Sequence, residues 1–249
     1  RSIVTESTTD IPTPTGPMRA HLYSPRQPGR PEKARPGLLL YSEIFQQTAP
    51  VKRLAISLAS FGYLVAVPEV YHSHEPPGTV LGYDDIGKER GNALKGMIPM
   101  RAFDDDAMAL VRALKQHPNC NGKLGAMGIC LGGHLAFRAA LLPEILASAC
   151  FYPTDLHSGT LGLGGKADSL GRAKEIQGEL LMVFGRQDPH VPVEGRRMIH
   201  DALERSAVFF SWHEFNAVHA FMRDEGERFD AECTRAAVGL ALDMFRRAL

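Results

Sequence analysis

The sequence has few of the features that mark several classes of protein. Its 249 residues include only four cysteines, Cys120, Cys130, Cys150 and Cys233, and no Cys-x-x-Cys pair. Neither a zinc site nor a disulfide framework is therefore predicted, and the four thiols fit a reducing compartment.

Net charge and long apolar runs are also missing. The 28 basic residues balance the 28 acidic ones, so there is no electrostatic footprint for nucleic acid or for an anionic membrane surface. No apolar run approaches the roughly 20 residues needed to cross a bilayer, and residues 1–6 lack the charged-then-apolar order of a secretory leader. We therefore expect a cytoplasmic protein with no nucleic-acid or membrane partner.

A metal site is not expected either. His72 and His74 could be grouped with His157 or His213, but no carboxylates are spaced to complete a ligand set. We expect neither a metal nor another cofactor.

Short apolar segments alternate with amphipathic ones along most of the chain. Strands are predicted over residues 37–41, 63–67, 123–128, 147–152, 179–184 and 208–213. Helices are predicted over residues 50–61, 104–116, 134–142, 194–205 and 228–247. This alternation indicates an α/β fold whose mostly parallel sheet is covered by helices on both faces.

Two regions depart from the alternation. Residues 1–35 predict an antiparallel edge hairpin and an exposed connector, and residues 18–23 are their one strand-like run. Residues 68–99 are rich in Gly, Pro, His and charge, so we predict a lid-like loop segment there. With no internal repeat or boundary, residues 1–249 are predicted to form one domain.

The most informative motif is Gly128-Ile-Cys130-Leu-Gly132, which lies between a predicted strand and a predicted helix. Gly-x-nucleophile-x-Gly is typical of a sharp strand-to-helix turn, where larger neighbours would collide. At a helix N-terminus the backbone dipole favours a thiolate. The alternative is that Cys130 is an ordinary buried cysteine.

Four groups that could carry chemistry follow predicted strands: Glu43, Cys130, Asp188 and His219. The carboxyl ends of parallel strands meet at one edge of a sheet, so these groups are expected to converge. The last three run in the order nucleophile, acid, histidine. We predict that His219 handles the thiol proton and later activates water, while Asp188 orients the imidazole.

Backbone N–H groups of Ile44 and Leu131 are predicted to bind the oxyanion. Simpler interpretations stay open at this stage. Asp188 could be a turn residue before a proline, His219 an ordinary loop histidine, and Glu43 the cap of the next helix.

Residues 42–45, 128–133, 184–192 and 219–221 together make the sequence resemble the dienelactone hydrolase family. The resemblance implies an α/β-hydrolase fold, with Glu43 as an extra carboxylate that contacts the thiol and helps to form the thiolate when substrate binds. A carboxylate beside the thiol should keep it neutral at rest, because like charges repel.

The resemblance also implies two arginines that hold a substrate carboxylate. Arg223, four residues after His219, occupies one of these places. Arg90 is the best match for the other, with Lys95 and Arg101 as rivals, and surface positions are the alternative for both arginines. Bidentate, permanently charged guanidinium groups suit this task.

Phe45 and Tyr152 are assigned to the substrate pocket. The predicted function is a cysteine-dependent hydrolase that opens a carboxylate-bearing lactone, dienelactone-like, or a related ester through an acyl-thioenzyme. One alternative is a promiscuous esterase or organophosphate-cleaving hydrolase, and another is a catalytically silent module that binds a small ligand. The expected partner is a small ester or lactone, and the expected state is a monomer or small homo-oligomer.

Overall fold

The computed structural model describes residues 3–29 and 31–249. Residues 1, 2 and 30, which fall within the predicted edge hairpin and connector of residues 1–35, lie outside the described residues. The strands are β1 (Ile3–Ile11), β2 (Met18–Arg26), β3 (Arg35–Tyr41), β4 (Leu64–Pro68), β5 (Cys120–Ile129), β6 (Ile145–Phe151), β7 (Glu179–Gly185) and β8 (Phe210–Phe215). The α-helices are α1 (Ala49–Ser60), α2 (Asp85–Met97), α3 (Met100–Gln116), α4 (Leu131–Ala139), α5 (Val193–Ser206) and α6 (Ala231–Ala248).

The strands form one sheet in the order β1-β2-β4-β3-β5-β6-β7-β8. The pairs β1–β2 and β2–β4 are antiparallel, and the other five pairs are parallel. The predicted α/β class and the antiparallel edge hairpin are therefore confirmed for the described residues. The first strand of the hairpin, β1, was not predicted because its side chains are mostly polar and exposed.

Each face of the sheet packs on its own hydrophobic core. Alternate residues of a strand point to opposite faces, so Leu39 joins one core while Leu38 and Leu40 join the other. Helices α1 and α6 cover the second face, and α3, α4 and α5 cover the first. This arrangement leaves the carboxyl ends of the parallel strands free to carry loops.

The prediction of an aperiodic loop over residues 68–99 is wrong for α2. Asp84 caps the start of this helix, and its carboxylate accepts a hydrogen bond from Gly87 N at 2.8 Å. Only Gly87, Gly91 and Leu94 of α2 are buried, so the sequence carries little apolar periodicity. Gly91 lets the helix pack closely, because a Cβ there would lie 2.6 Å from the carbonyl oxygen of Ile44.

Helix α3 begins at Met100, before the predicted start at residue 104. None of the helices within the described residues is long and apolar enough to cross a membrane.

Candidate active site

Cys130 occupies the sharp turn between β5 and α4. Its φ and ψ of 59° and −121° are unusual for a residue with a side chain. A Cβ on Gly128 would lie 1.9 Å from the carbonyl oxygen of Gly132, and one on Gly132 would lie 2.2 Å from that of Tyr41. Any side chain at these two positions would overlap backbone atoms, so both must be glycine. The turn presents the thiol at the N-terminus of α4.

His219 and Asp188 come from the loops after β8 and β7. The Nδ1 atom of His219 lies 2.6 Å from Oδ2 of Asp188, and the Cys130 sulfur is close enough to raise the pKa of His219. The other oxygen of Asp188, Oδ1, accepts the backbone N–H of His190 at 2.7 Å. The structure thus brings thiol, imidazole and carboxylate together.

Charge around His219 favours its protonated form. Burial by itself lowers the pKa of His219, but the neighbouring Cys130 sulfur and the Asp188 carboxylate outweigh it and raise that pKa to about 10. At neutral pH the ring is therefore an imidazolium beside the sulfur. It can donate one hydrogen bond to the carboxylate and another to the sulfur.

The two predicted oxyanion donors lie next to the turn. Leu131 is the first residue of α4, so its N–H has no acceptor within the helix. Ile44 lies in the turn after β3, where Gln46 N donates a hydrogen bond to Glu43 O at 3.3 Å. It lines the same cavity as Cys130. The role of both N–H groups as oxyanion donors stays a prediction.

In this structure the Glu43 carboxylate is hydrogen-bonded to Arg223, and its contact with the thiol stays a prediction. Only 1% of Glu43 is exposed, and its Oε1 and Oε2 accept hydrogen bonds from Arg223 Nη2 at 2.8 Å and Nε at 3.1 Å. No hydrogen bond joins Glu43 to Cys130 among the described residues. Arg223 therefore places a positive charge directly against the buried Glu43 carboxylate.

Aromatic rings hold Arg223 in place. Its guanidinium lies 4.2 Å from the ring centroid of Tyr83 and 5.3 Å from that of Phe45. Burial lowers the pKa of Arg223, but the bond to Glu43 outweighs it and the pKa is raised. The side chain therefore stays charged in a half-buried place.

A cavity of about 580 Å³ opens in front of these groups. Its wall includes the sulfur and imidazole residues, the loop after β3 and one side of α2: Cys130, His219, Ile44, Phe45, Lys88, Asn92 and Lys95. This volume suits a small organic molecule. Among residues 3–29 and 31–249, no three or more His, Cys, Asp and Glu side chains are grouped to hold a metal ion.

Arg90 lies away from this cavity. Its Nε donates to Oε1 of Glu75 at 2.6 Å on the outer side of α2, and it is not part of the cavity wall. Lys95 faces the cavity instead, with its Nζ 2.6 Å from Oδ2 of Asp155. The helical spacing explains the difference, because residues 88, 92 and 95 share one face of α2 and residue 90 does not.

Tyr152 is placed behind the cavity wall and not on it. The residue is fully buried, and its ring lies 5.1 Å from that of His219 and 5.3 Å from that of Phe221, centroid to centroid. It therefore supports the imidazole, and the structure does not place it against substrate.

The sequence was also compared with those of known protein families. The model of the dienelactone hydrolase family matches residues 18–249. The chain belongs to the dienelactone hydrolase family. It is accordingly a hydrolase with the α/β-hydrolase fold.

Relatives of this dienelactone hydrolase family member align with it over most of their length. The "Putative carboxymethylenebutenolidase" of Saccharomyces cerevisiae is 41% identical over 255 residues, which cover 99% of this chain and 93% of that protein. The carboxymethylenebutenolidase of Pseudomonas putida is 28% identical over 218 residues, covering 86% and 87%. The structure of a dienelactone hydrolase-like promiscuous phosphotriesterase from metagenomic libraries shares the fold, with a TM-score of 0.77, 21% identity and 99% coverage of each chain.

Two residues of the dienelactone hydrolase site escaped the sequence analysis. Tyr83 underlies Arg223 and packs edge-on against Phe45 at 4.8 Å, yet it lies in a stretch without periodicity. His190 lines the cavity, and its position two residues after Asp188 was the available signal.

Proposed function

We propose that the chain is a cysteine-dependent hydrolase that opens a lactone or related ester through an acyl-thioenzyme. The observation that carries the proposal is the strained Cys130 turn beside a His219–Asp188 pair. An imidazolium next to the sulfur supports a thiolate nucleophile, because the opposite charge stabilises it.

In acylation, the Cys130 sulfur attacks the substrate carbonyl carbon, and the oxyanion binds the N–H groups of Leu131 and Ile44. The intermediate collapses, the carbon–oxygen bond breaks with its electron pair on the leaving oxygen, and His219 gives that oxygen a proton. In deacylation, neutral His219 takes a proton from water as the water attacks the thioester. The second collapse releases the acid and returns the thiolate and imidazolium.

The name carboxymethylenebutenolidase borne by the relatives supports a lactone as substrate. For a substrate that also bears a carboxylate, Arg223 and Lys95 line the cavity together with Cys130 and His219. Both cations already have partners, however, since Arg223 binds Glu43 and Lys95 binds Asp155.

This internal pairing favours a second candidate, a generalist hydrolase that acts on neutral esters or organophosphates. A cation that is already paired with an acid gains less from a substrate carboxylate. The promiscuous phosphotriesterase with the same fold lends support. Equal kcat/KM for a carboxylate-bearing ester and its neutral analogue would select the generalist.

The deciding experiment is stopped-flow hydrolysis of p-nitrophenyl acetate by the parent protein, Cys130→Ala and the control Cys233→Ala. We expect a burst of nitrophenolate in the parent and the control, and a loss of about 10³-fold or more in kcat/KM for Cys130→Ala. A burst that persists in Cys130→Ala would exclude the thiol as nucleophile. A parent that shows no turnover but binds esters would indicate a silent binding module.

The proposal extends to organisation and location. All four cysteines are free, which supports a reducing, cytoplasmic setting. We expect residues 1–249 to act as one domain, as a monomer or small homo-oligomer, on a small molecule, without metal, cofactor, nucleic acid or membrane.

A further inference from the structure

His190 contacts two members of the Cys130–His219–Asp188 group. Its backbone N–H donates to Oδ1 of Asp188 at 2.7 Å. Its ring packs edge-on against the ring of His219, with centroids 4.5 Å apart and planes at 64°. One residue therefore touches both the acid and the base of the site.

The ring nitrogens of His190 make no hydrogen bond with the described part of the chain. The buried histidines differ, because His134 uses both nitrogens on protein groups and His219 uses Nδ1 on Asp188. The His190 ring instead forms part of the cavity wall together with Cys130 and His219. It is the imidazole of the site that a substrate can reach with both nitrogens unused.

The surroundings keep His190 neutral. Burial lowers the pKa of His190, and the charge of His219 lowers it further. Lys95 and Arg228 act in the same direction, while Asp188 opposes them. A neutral imidazole has one N–H donor and one acceptor, so at neutral pH the ring can donate a hydrogen bond without adding charge next to His219.

The geometry points to His190 as a specificity-determining residue that donates a hydrogen bond to the leaving-group oxygen of the substrate. This inference rests on the proposed function. During acylation the leaving oxygen receives the bond's electron pair and then a proton from His219. An oxygen within reach of His219 lies beside the ring that packs against it. The His190 N–H stabilises the negative charge before the proton arrives, and no covalent bond to His190 forms.

The consequence is a dependence on the leaving group. An alkoxide concentrates negative charge on its oxygen, whereas p-nitrophenolate spreads that charge over the ring. We therefore expect His190→Phe, which keeps an aromatic ring and the backbone N–H, to lower kcat/KM for ethyl acetate about tenfold. The same variant should change kcat/KM for p-nitrophenyl acetate less than about twofold. His190→Gln retains an N–H donor and should recover most of the ethyl acetate rate.

The experiment measures kcat/KM for both esters, because this constant covers the steps up to acylation. His200→Phe is the matched control, since the His200 ring packs on Phe210 and Trp212 outside the cavity. Equal losses on both esters in His190→Phe, or a Gln variant no better than the Phe variant, would overturn the inference, as would unchanged rates. Hydrolysis that survives Cys130→Ala would instead refute the proposed function, so the two failures are distinguishable.

Discussion

Two polar clusters lie near the Cys130 turn, and each contains a buried histidine and an arginine paired with an acid. The site cluster consists of Glu43, Cys130, Asp188, His219 and Arg223. The rear cluster, on the side of α3, consists of Asp104, His134, Arg138, Asp168 and Ser169. The clusters touch the same segment, because Thr154 N donates to Cys130 O at 3.3 Å while Thr154 O accepts from His134 Nδ1 at 2.9 Å.

The two histidines are similarly buried but differ in protonation. His134 is fully buried between the Thr154 carbonyl and the Ser169 hydroxyl, 2.6 Å from its Nε2. Burial lowers the pKa of His134 to about 4, and its neutral partners cannot compensate. His219 meets a carboxylate and a sulfur, which raise its pKa to about 10. Neighbouring charge, and not burial, therefore separates a structural histidine from one that can transfer protons.

The sharpest way to break this contrast is to give His219 a neutral partner, as His134 has. Asp188→Asn removes the carboxylate, so the pKa of His219 should fall and the amide should favour the wrong tautomer. We expect kcat/KM for p-nitrophenyl acetate to drop by about 10⁴-fold. Asp201→Asn, on the exposed side of α5, is the control. A drop below tenfold in Asp188→Asn would mean that Asp188 does not orient the imidazole.

The two arginines differ in how exposed their acidic partners are, and this difference gives the second prediction. Glu43 is 1% exposed, so Arg223→Met leaves a buried carboxylate unpaired and should destabilise the fold by about 3–5 kcal/mol. The partners of Arg138 can hydrate, since the side chains of Asp104 and Asp168 are 28% and 63% exposed. Arg138→Met should therefore cost only about 1–3 kcal/mol.

Urea unfolding at pH 7 measures both losses. The double variant Glu43→Gln with Arg223→Met should recover much of the stability lost in the single variant, because no buried charge remains unpaired. Equal losses for the two arginine variants would show that the exposure of the acid does not decide the cost.

The third prediction concerns stability against pH. The pKa of His134 is about 4 in the folded protein and 6.5 ordinarily. Its contribution is present above pH 6.5 and is lost as pH falls through 4, a change of about 3 kcal/mol. For His219, with its pKa raised to about 10, the contribution is present below pH 6.5 and is lost as pH rises through 10.

The free energy of unfolding, measured with urea from pH 4 to pH 10, should fall at both ends of this range. We call these falls the acid limb, which depends on His134, and the alkaline limb, which depends on His219. His134→Gln should flatten the acid limb, while His219→Gln should flatten the alkaline one. His200→Gln, which changes an exposed histidine of α5, should leave both limbs as they are. If His134→Gln kept the full acid dependence of the parent, the charge assignment of the rear cluster would be wrong.

Much of the site could be predicted because it depends on local patterns. Glycines two residues to either side of Cys130 and a helical run after it require the turn, whatever else the chain does. Alternating strands and helices bring the carboxyl ends of the strands to one edge, so Asp188 and His219 were expected near the thiol.

Other features could not be predicted, since they arise between residues far apart in the chain. Arg223 binds Glu43 across 180 positions, and nothing near Glu43 indicates a cation. Helix α2 was missed because its buried side carries glycines, and without it the choice between Arg90 and Lys95 had no geometric basis.

The sequence by itself determined the α/β architecture, the Cys130 turn and the order in which thiol, acid and histidine follow their strands. These are properties of short segments, where backbone sterics and hydrophobic periodicity act over a few residues. Only the tertiary structure decided which histidine carries a proton, which arginine neutralises Glu43 and which side of α2 faces the cavity. Those outcomes depend on burial and on charges that meet only when distant loops pack together.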